Sequence, residues 1–177
     1  MSIAKKKIFF IVGNYGVGKS TLIDQPILSQ TKMFLEIRNN VYVLGNKIIG
    51  ADSLSAFKKE YVLKEIKRNT DKNILIAGNY YCQIKDFEEL RSYFDLVLCY
   101  LKTDFENNLK RISQRGKTIN VATYNNKLKN HISLIKKTNG IRKLYIIDNN
   151  RTIQEVKDEF YKILDIETNE KNRLKTS

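Results

Sequence analysis

The sequence has 177 residues, 42% of them apolar and 29% charged, which suits one soluble globular domain with a buried core and excludes a disordered chain. No apolar run approaches the length of a membrane span, and "MSIAKKKIFFIVG" reaches a glycine after five apolar residues, short for a secretory core, so a cytoplasmic location is expected. Thirty-two basic against nineteen acidic side chains leave +13, a field that favours polyanionic partners, although a Lys-, Asn- and Ile-rich composition is the alternative source of the excess.

The first predicted element is the apolar run "IFFIV" (8–12), a strand, followed by a glycine-bracketed loop and a helix beginning near Lys19 that Pro26 ends or kinks around Gln25. "VYVL" (41–44), "ILIA" (74–77), "LVLCYL" (96–101) and "LYII" (144–147) complete five runs that are near-continuous, the pattern of strands buried on both faces of a parallel sheet. Helical stripes fill the gaps. Leu54, Phe57, Tyr61, Val62 and Ile66 form one; Phe105, Leu109 and Ile112 another, opened by the capping box "TDFE" of Thr103 and Glu106. Val121, Tyr124, Leu128, Ile132 and Ile135 form a third, ending near Gly140, and Ile153, Val156, Phe160, Ile163 and Leu164 a fourth, opened by "TIQE". Parallel strands need crossovers, so the alternation predicts a three-layer α/β domain over 1–164 with a five-stranded parallel sheet, and a frayed polar tail over 165–177. Cys82 and Cys99 read as reduced thiols and His131 as a surface residue, since neither type recurs at metal-ligand spacing.

Gly13, Asn14, Tyr15, Gly16, Val17, Gly18, Lys19 and Ser20 fit G-x-x-x-x-G-K-[ST], with the strand before and helix after that the pattern requires. A loop wrapping a phosphate must turn its N–H groups inward, which predicts glycine conformations at Gly13 and Gly18, and a helix start near Lys19 offers further donors. Lys19 is expected to neutralise the β- and γ-phosphates, Ser20 to ligate Mg²⁺ and Thr21 to contact the α-phosphate of a nucleoside triphosphate, taken as ATP. Motif and context together predict a P-loop NTPase domain.

The guanine-reading N-K-x-D and the D-x-x-G of switch GTPases are absent, since "NKII" (46–49) lacks the final acid. The run that a motor ATPase would end with an acid instead ends "ILIAGN", with Ala77 at that place. A small kinase fits better, because its chemistry is positioning and charge neutralisation. Arg111 and Arg115 stand at i, i+4 ahead of "GKTINVATY", where a lid over about 111–124 is expected; a solvated basic face is the plainer reading. Asp52, in "GADSLS", is the candidate acid to orient an acceptor hydroxyl, or else a helix N-cap. Asp148 could also serve, Asp95 reads as an ordinary strand-start residue, and "DNNR" (148–151) could contact a base. Asn79 and Tyr80 follow the third strand and would line the substrate pocket.

The phosphate loop, the Arg111–Arg115 segment and the strand order resemble the nucleoside and nucleotide kinase branch of the P-loop proteins over nearly the whole chain. "VYVLGNKIIGADSLS" with "NILIAGNYY" is similar to phage-encoded kinases that phosphorylate the hydroxymethyl group of 5-hydroxymethyluracil in DNA, with Gly50, Asp52, Leu54 and Ser55 at the positions of that family's glycine, acid and Leu-Ser element. The resemblance implies ATP-dependent transfer to a base hydroxyl near Asp52, in the host cytoplasm, and Ala77 is a departure that leaves magnesium's support and the base assignment open. Residues 102 to 143 carry eleven Lys or Arg against two acids, a local +9 that would hold a DNA backbone, with Lys127 and Lys129 among the contacts. The target base would be flipped out or single-stranded. Two other readings stay open: a kinase of a free nucleoside, nucleotide or small metabolite, and a non-catalytic ATP-binding accessory protein that grips nucleic acid.

Overall fold

The computed structural model describes residues 5–23, 34–38, 40–44, 58–79 and 81–169. The expectations placed on Pro26, Gly50, Asp52, Leu54, Ser55, Phe57 and Tyr80 lie outside the described residues. Among the described residues no helix is long and apolar enough to cross a membrane.

The sheet has six strands rather than five and is mixed rather than purely parallel. They are β1 (Lys7–Gly13), β2 (Phe34–Arg38), β3 (Val41–Leu44), β4 (Asn73–Ala77), β5 (Asp95–Lys102) and β6 (Lys143–Asp148), in the order β2-β3-β4-β1-β5-β6. The five expected runs are β1 and β3 to β6, all mutually parallel; β1 is central, with Phe9 opposite Leu75 on one side and Val97 on the other. The added strand, β2, pairs antiparallel with β3 around Asn40, whose φ is +61°. Its sequence, "FLEIR", was passed over because it alternates: Glu36 and Arg38 are exposed, as a one-sided edge strand allows.

Helices cover both faces. Ile8, Phe10, Ile74, Ile76 and Leu98 pack under Val62, Leu63 and Ile66 of α1 (Lys59–Arg68), Phe87 and Leu90 of α2 (Ile84–Leu90) and Leu134 of α4 (Val121–Lys137). On the other face Phe9, Ile11, Leu75, Val97 and Cys99 meet Leu22, Ile23 and Val156, Phe160, Ile163 and Leu164 of α5 (Ile153–Asn169). The period-2 alternation of each strand thus feeds two apolar layers, and each buried Ile, Leu or Phe contributes about 1.5–3 kcal/mol.

Several stripes shift from their expected positions. Tyr61 is half exposed while Leu63 is buried, so α1 turns by about a residue. On α3 (Phe105–Ser113) the expected Thr103–Glu106 capping box is not formed: Asp104 is the N-cap without a side-chain cap, and Thr103 Oγ1 accepts from Asn149 instead. The Thr152–Glu155 box at α5 does form, with Thr152 N donating to Glu155 Oε2 and Glu155 N to Thr152 Oγ1. The last helix extends beyond Leu164, where a tail was expected to begin. α5 runs to Asn169 and buries Glu167, which accepts from Lys7, Lys143 and Tyr145 beneath the N-terminal ends of β1 and β6.

Candidate active site: the phosphate loop and the helix that covers it

The loop follows β1 at the carboxyl end of the sheet, between neighbours β4 and β5, which is where open α/β sheets place ligands. Gly18 has φ +83°, a left-handed conformation that spares glycine any steric cost, as expected. Gly13 is required for a different reason than the one anticipated. Its φ is not positive; a Cβ there would stand 2.8 Å from Val17 Cγ2 and 3.1 Å from the Leu101 carbonyl oxygen, so the loop can fold back onto β5 only without a side chain. Beyond the loop, Lys19–Thr21 form a 3-10 turn closed by Thr21 N donating to Gly18 O at 2.9 Å, shorter than the expected helix over the described residues.

Lys19 Nζ donates to the carbonyls of Gly13 and Asn14, each at 3.1 Å, so its ammonium lies against the loop's own backbone. The amides of Gly16, Val17 and Gly18 have no protein acceptor among the described residues. Three successive unpaired N–H groups and an adjacent ammonium make an anion-binding nest, and a triphosphate fits that donor set. Ser20 and Thr21 close the turn beside it, Thr21 exposed and Ser20 half-buried.

α4 lies across the loop. Asn14 is buried and donates from Nδ2 to the Tyr124 carbonyl at 3.1 Å, while its Oδ1 accepts from Tyr15 N at 2.9 Å. Lys127 Nζ stands 3.1 Å from the centroid of the Tyr15 ring, a cation–π contact. His131 is 5% exposed, and its Nε2 is 3.2 Å from Asn79 Oδ1. Tyr124, Lys127 and His131 recur at i, i+3 and i+7 and share one face. The expected apolar stripe of α4 is therefore displaced, with Val121 and Ile132 exposed, because the covered face meets the polar loop through Tyr124, Lys127 and His131 and the sheet through Leu134. The reading of His131 as a surface residue is overturned with it. Burial, then the nearby charges of Lys19 and Lys127, push its pKa down to about 4.

Asn79, just past β4, donates from Nδ2 to Gly13 O at 3.2 Å. Arg111 is half-buried and donates to Asn149 O at 2.8 Å, and Asn149 Nδ2 donates to Val17 O and Thr103 Oγ1. The loop after β6 is thereby tied to the phosphate loop. Arg115 lies past the end of α3, not on one helical face with Arg111, and is exposed. It lines a cleft of about 330 Å³ with Tyr15, Ile112, Lys117, Ile119 and Asn120. The segment between the helices spans only 114–120, because Arg111 belongs to α3 and 121–124 to α4. Lys127 and Lys129 do not share a face: a two-residue step turns a helix about 200°, and Lys129 is exposed while Lys127 covers Tyr15. Asp148 is bound to its own turn through Asn150, and Asp95 begins β5 at the opposite end of the sheet.

Sequence reasoning misread His131 as a surface residue, took Asn149 only as part of "DNNR", and passed over Asn108. Asn108 is fully buried on α3, and its carboxamide oxygen would stand 3.1 Å from a Cβ on Gly16. The available signal was a polar residue on an otherwise apolar helical face, at 108 and again at 131.

The chain has an α/β fold, with a mostly parallel sheet of six strands, that matches kinases of known structure. Solved structures similar to it include a gluconokinase from Sinorhizobium meliloti 1021 (TM-score 0.57, 12% identity, covering 99% of this chain and 100% of that one). A shikimate kinase from Acinetobacter baumannii in complex with shikimate (0.52, 17%, 91% and 92%) and a deoxyadenosine kinase from M. mycoides with bound dCTP (0.52, 15%, 89% and 98%) are similar as well. The sequence matches no family model and no curated protein.

Proposed function

We propose that the protein is an ATP-dependent kinase that passes the γ-phosphate to a hydroxyl acceptor. The observation that carries this reading is the set of unpaired amides of Gly16, Val17 and Gly18 beside the Lys19 ammonium, at the head of the central strand of a kinase-type fold. In this reading the loop from Gly13 to Thr21 binds the triphosphate through the amides of Gly16, Val17 and Gly18, Lys19 turns from its carbonyls toward the β- and γ-phosphates, and Arg111 and Arg115 approach from the flank. Mg²⁺, held through Ser20, would supply charge neutralisation between the phosphates.

The acceptor we favour is the hydroxymethyl group of 5-hydroxymethyluracil in DNA, oriented by Asp52 with Asn79 and Tyr80 lining the pocket. It is supported by the residue pattern over 41–55 and by the +9 segment. A second reading, a small metabolite or free nucleoside, is favoured by the gluconokinase, shikimate kinase and deoxyadenosine kinase likenesses.

The deciding experiment offers Mg²⁺ and γ-labelled ATP with hydroxymethyluracil-containing DNA, ordinary DNA, free nucleosides and nucleotides, and small hydroxy acids and sugars. Label entering only the modified DNA supports the favoured acceptor, and label entering monomers alone replaces it with the second reading. Binding of ATP without transfer to any acceptor removes the kinase and leaves an accessory protein. Asp52→Asn is expected to spare ATP binding and cut turnover; unchanged turnover returns Asp52 to a capping role.

A further inference from the structure

The contacts around Gly13 fix which atoms donate. Gly13 O receives both Lys19 Nζ at 3.1 Å and Asn79 Nδ2 at 3.2 Å. An amide facing a carbonyl must present its nitrogen, so Asn79 Oδ1 is turned to His131 and can only accept. His131 Nε2 therefore carries the ring proton. Its Nδ1 is then a bare acceptor, and among the described residues it is buried without a partner. A neutral ring is the form that two cations nearby, Lys19 and Lys127, favour.

Lys19 has three N–H groups, so bonding both the β- and the γ-phosphate takes at least one of them from the Gly13 and Asn14 carbonyls. When its ammonium moves, Gly13 O, in a glycine that packs against β5, loses one of two donors. A carbonyl left bare in such surroundings is costly, and the second donor offsets that cost. The second donor is only as well aimed as the group that holds it.

We propose that His131 is a positioning residue of the phosphate loop: by donating from Nε2 to Asn79 it aims the Asn79 amide at the Gly13 carbonyl, so that this carbonyl stays paired when Lys19 leaves it for a phosphate. α4 thereby controls the loop from the side that the 114–120 segment leads into. The inference rests on the triphosphate reading above, and goes beyond it in giving a helix outside the motif a part in nucleotide affinity.

The test uses the full chain with three substitutions. His131→Gln sets an amide nitrogen near the place of Nε2, His131→Asn reaches only as far as Nδ1, and His131→Phe keeps the bulk without a donor. The probe is a non-hydrolysable ATP analogue with Mg²⁺, titrated calorimetrically. His131→Phe and His131→Asn are expected to weaken its affinity about tenfold, His131→Gln less than about threefold, and His131→Phe to add nothing in an Asn79→Ala background. Equal affinities for the Gln and Phe variants, or full additivity with Asn79→Ala, would overturn the proposal. Should His131→Phe fail to fold, the contrast between Gln and Asn decides. Should the wild type bind no triphosphate, the functional reading fails by itself. The positioning claim is then judged on the ligand-free protein, where a thermal-unfolding cycle of His131→Gln, His131→Asn and Asn79→Ala must show that only the Asn variant is uncoupled from position 79.

Discussion

Arg111 donates to the main-chain oxygen of Asn149 at 2.8 Å, and the Asn149 side chain in turn donates to the Val17 carbonyl, so α3, the loop after β6 and the phosphate loop meet through one residue. Two arginines that look equivalent at i, i+4 are therefore unlike. Arg111→Ala removes a charged donor and is expected to lower stability by about 1.5 kcal/mol, whereas Arg115→Ala, at an exposed site, should stay within about 0.5 kcal/mol. Both should reduce phosphoryl transfer if they reach the phosphates. Urea unfolding read beside the transfer assay separates the effects, and an Arg115→Ala protein with full turnover would leave that side chain as solvated surface.

Lys19→Ala is expected to abolish transfer, because the charge developing on the γ-phosphate loses its partner. Its effect on the fold should be modest. The ammonium binds two carbonyls of a half-buried loop, and Asn79 still serves Gly13, so we expect a loss of about 1.5 kcal/mol. Calorimetric titration and urea unfolding on one preparation test both halves. Persistent transfer at the wild-type rate would mean that the loop is not where the triphosphate sits.

Acid should weaken the fold through His131. Its pKa falls from 6.5 to about 4 on folding, so between these values the unfolded chain binds a proton that the native ring refuses. Stability from this group is complete above pH 6.5 and is lost as the pH drops toward 4, a difference of up to about 3 kcal/mol. The groups facing the ring are Lys19 from the loop, Lys127 on α4, Tyr100 on β5 and the neutral Asn79. Neither lysine changes charge in this window. His131→Gln should flatten the stability profile between pH 6.5 and 4, measured by urea midpoints; an unchanged slope would place the titrating group elsewhere.

Glu167 makes the end of α5 structural. Burial alone would raise its pKa, yet hydrogen bonds from Lys7, Tyr145 and Lys143 hold it below the ordinary range. Glu167→Ala removes the buried carboxylate on which Lys7, Lys143 and Tyr145 converge, and a loss of about 1.5–3 kcal/mol is expected. Glu167→Gln should lose less, since its amide oxygen still accepts. Stability supplied by this carboxylate is present above the ordinary carboxylate range and disappears as the pH falls through its depressed value. Thermal unfolding of the two variants checks the order.

The sheet was legible because burial on both faces writes an unbroken apolar run, and all five runs from Ile8 to Ile147 became strands. The turn after β1 was legible because its glycines mark it, Gly18 taking a φ of +83°. β2 was not, since an edge strand alternates and "FLEIR" resembles surface. Glu167 read as tail for a related reason: a carboxylate is buried only when cations from β1 and β6 converge on it, and nothing local announces that convergence. His131 failed in the same way. Its partner Asn79 is 52 residues away, and a lone histidine carries no spacing to read.

That distinction bears on the acceptor through Lys127 and Lys129. Taken as a pair from the sequence they suggest a basic face on a DNA backbone, but Lys127 covers the Tyr15 ring at the tip of the phosphate loop while Lys129 is exposed. Lys127→Ala should therefore weaken binding of the triphosphate, about threefold to tenfold if the cation–π contact and the local charge both matter, with little change in affinity for a polymer. Lys129→Ala should do the reverse, lowering affinity for DNA and reducing the slope of log K against log salt by up to about one. Fluorescence anisotropy with labelled single-stranded DNA across a salt series, run beside nucleotide titrations, distinguishes the two. A DNA affinity that keeps its salt slope in Lys129→Ala would assign the exposed face of α4 to solvent and shift the weight to a small acceptor.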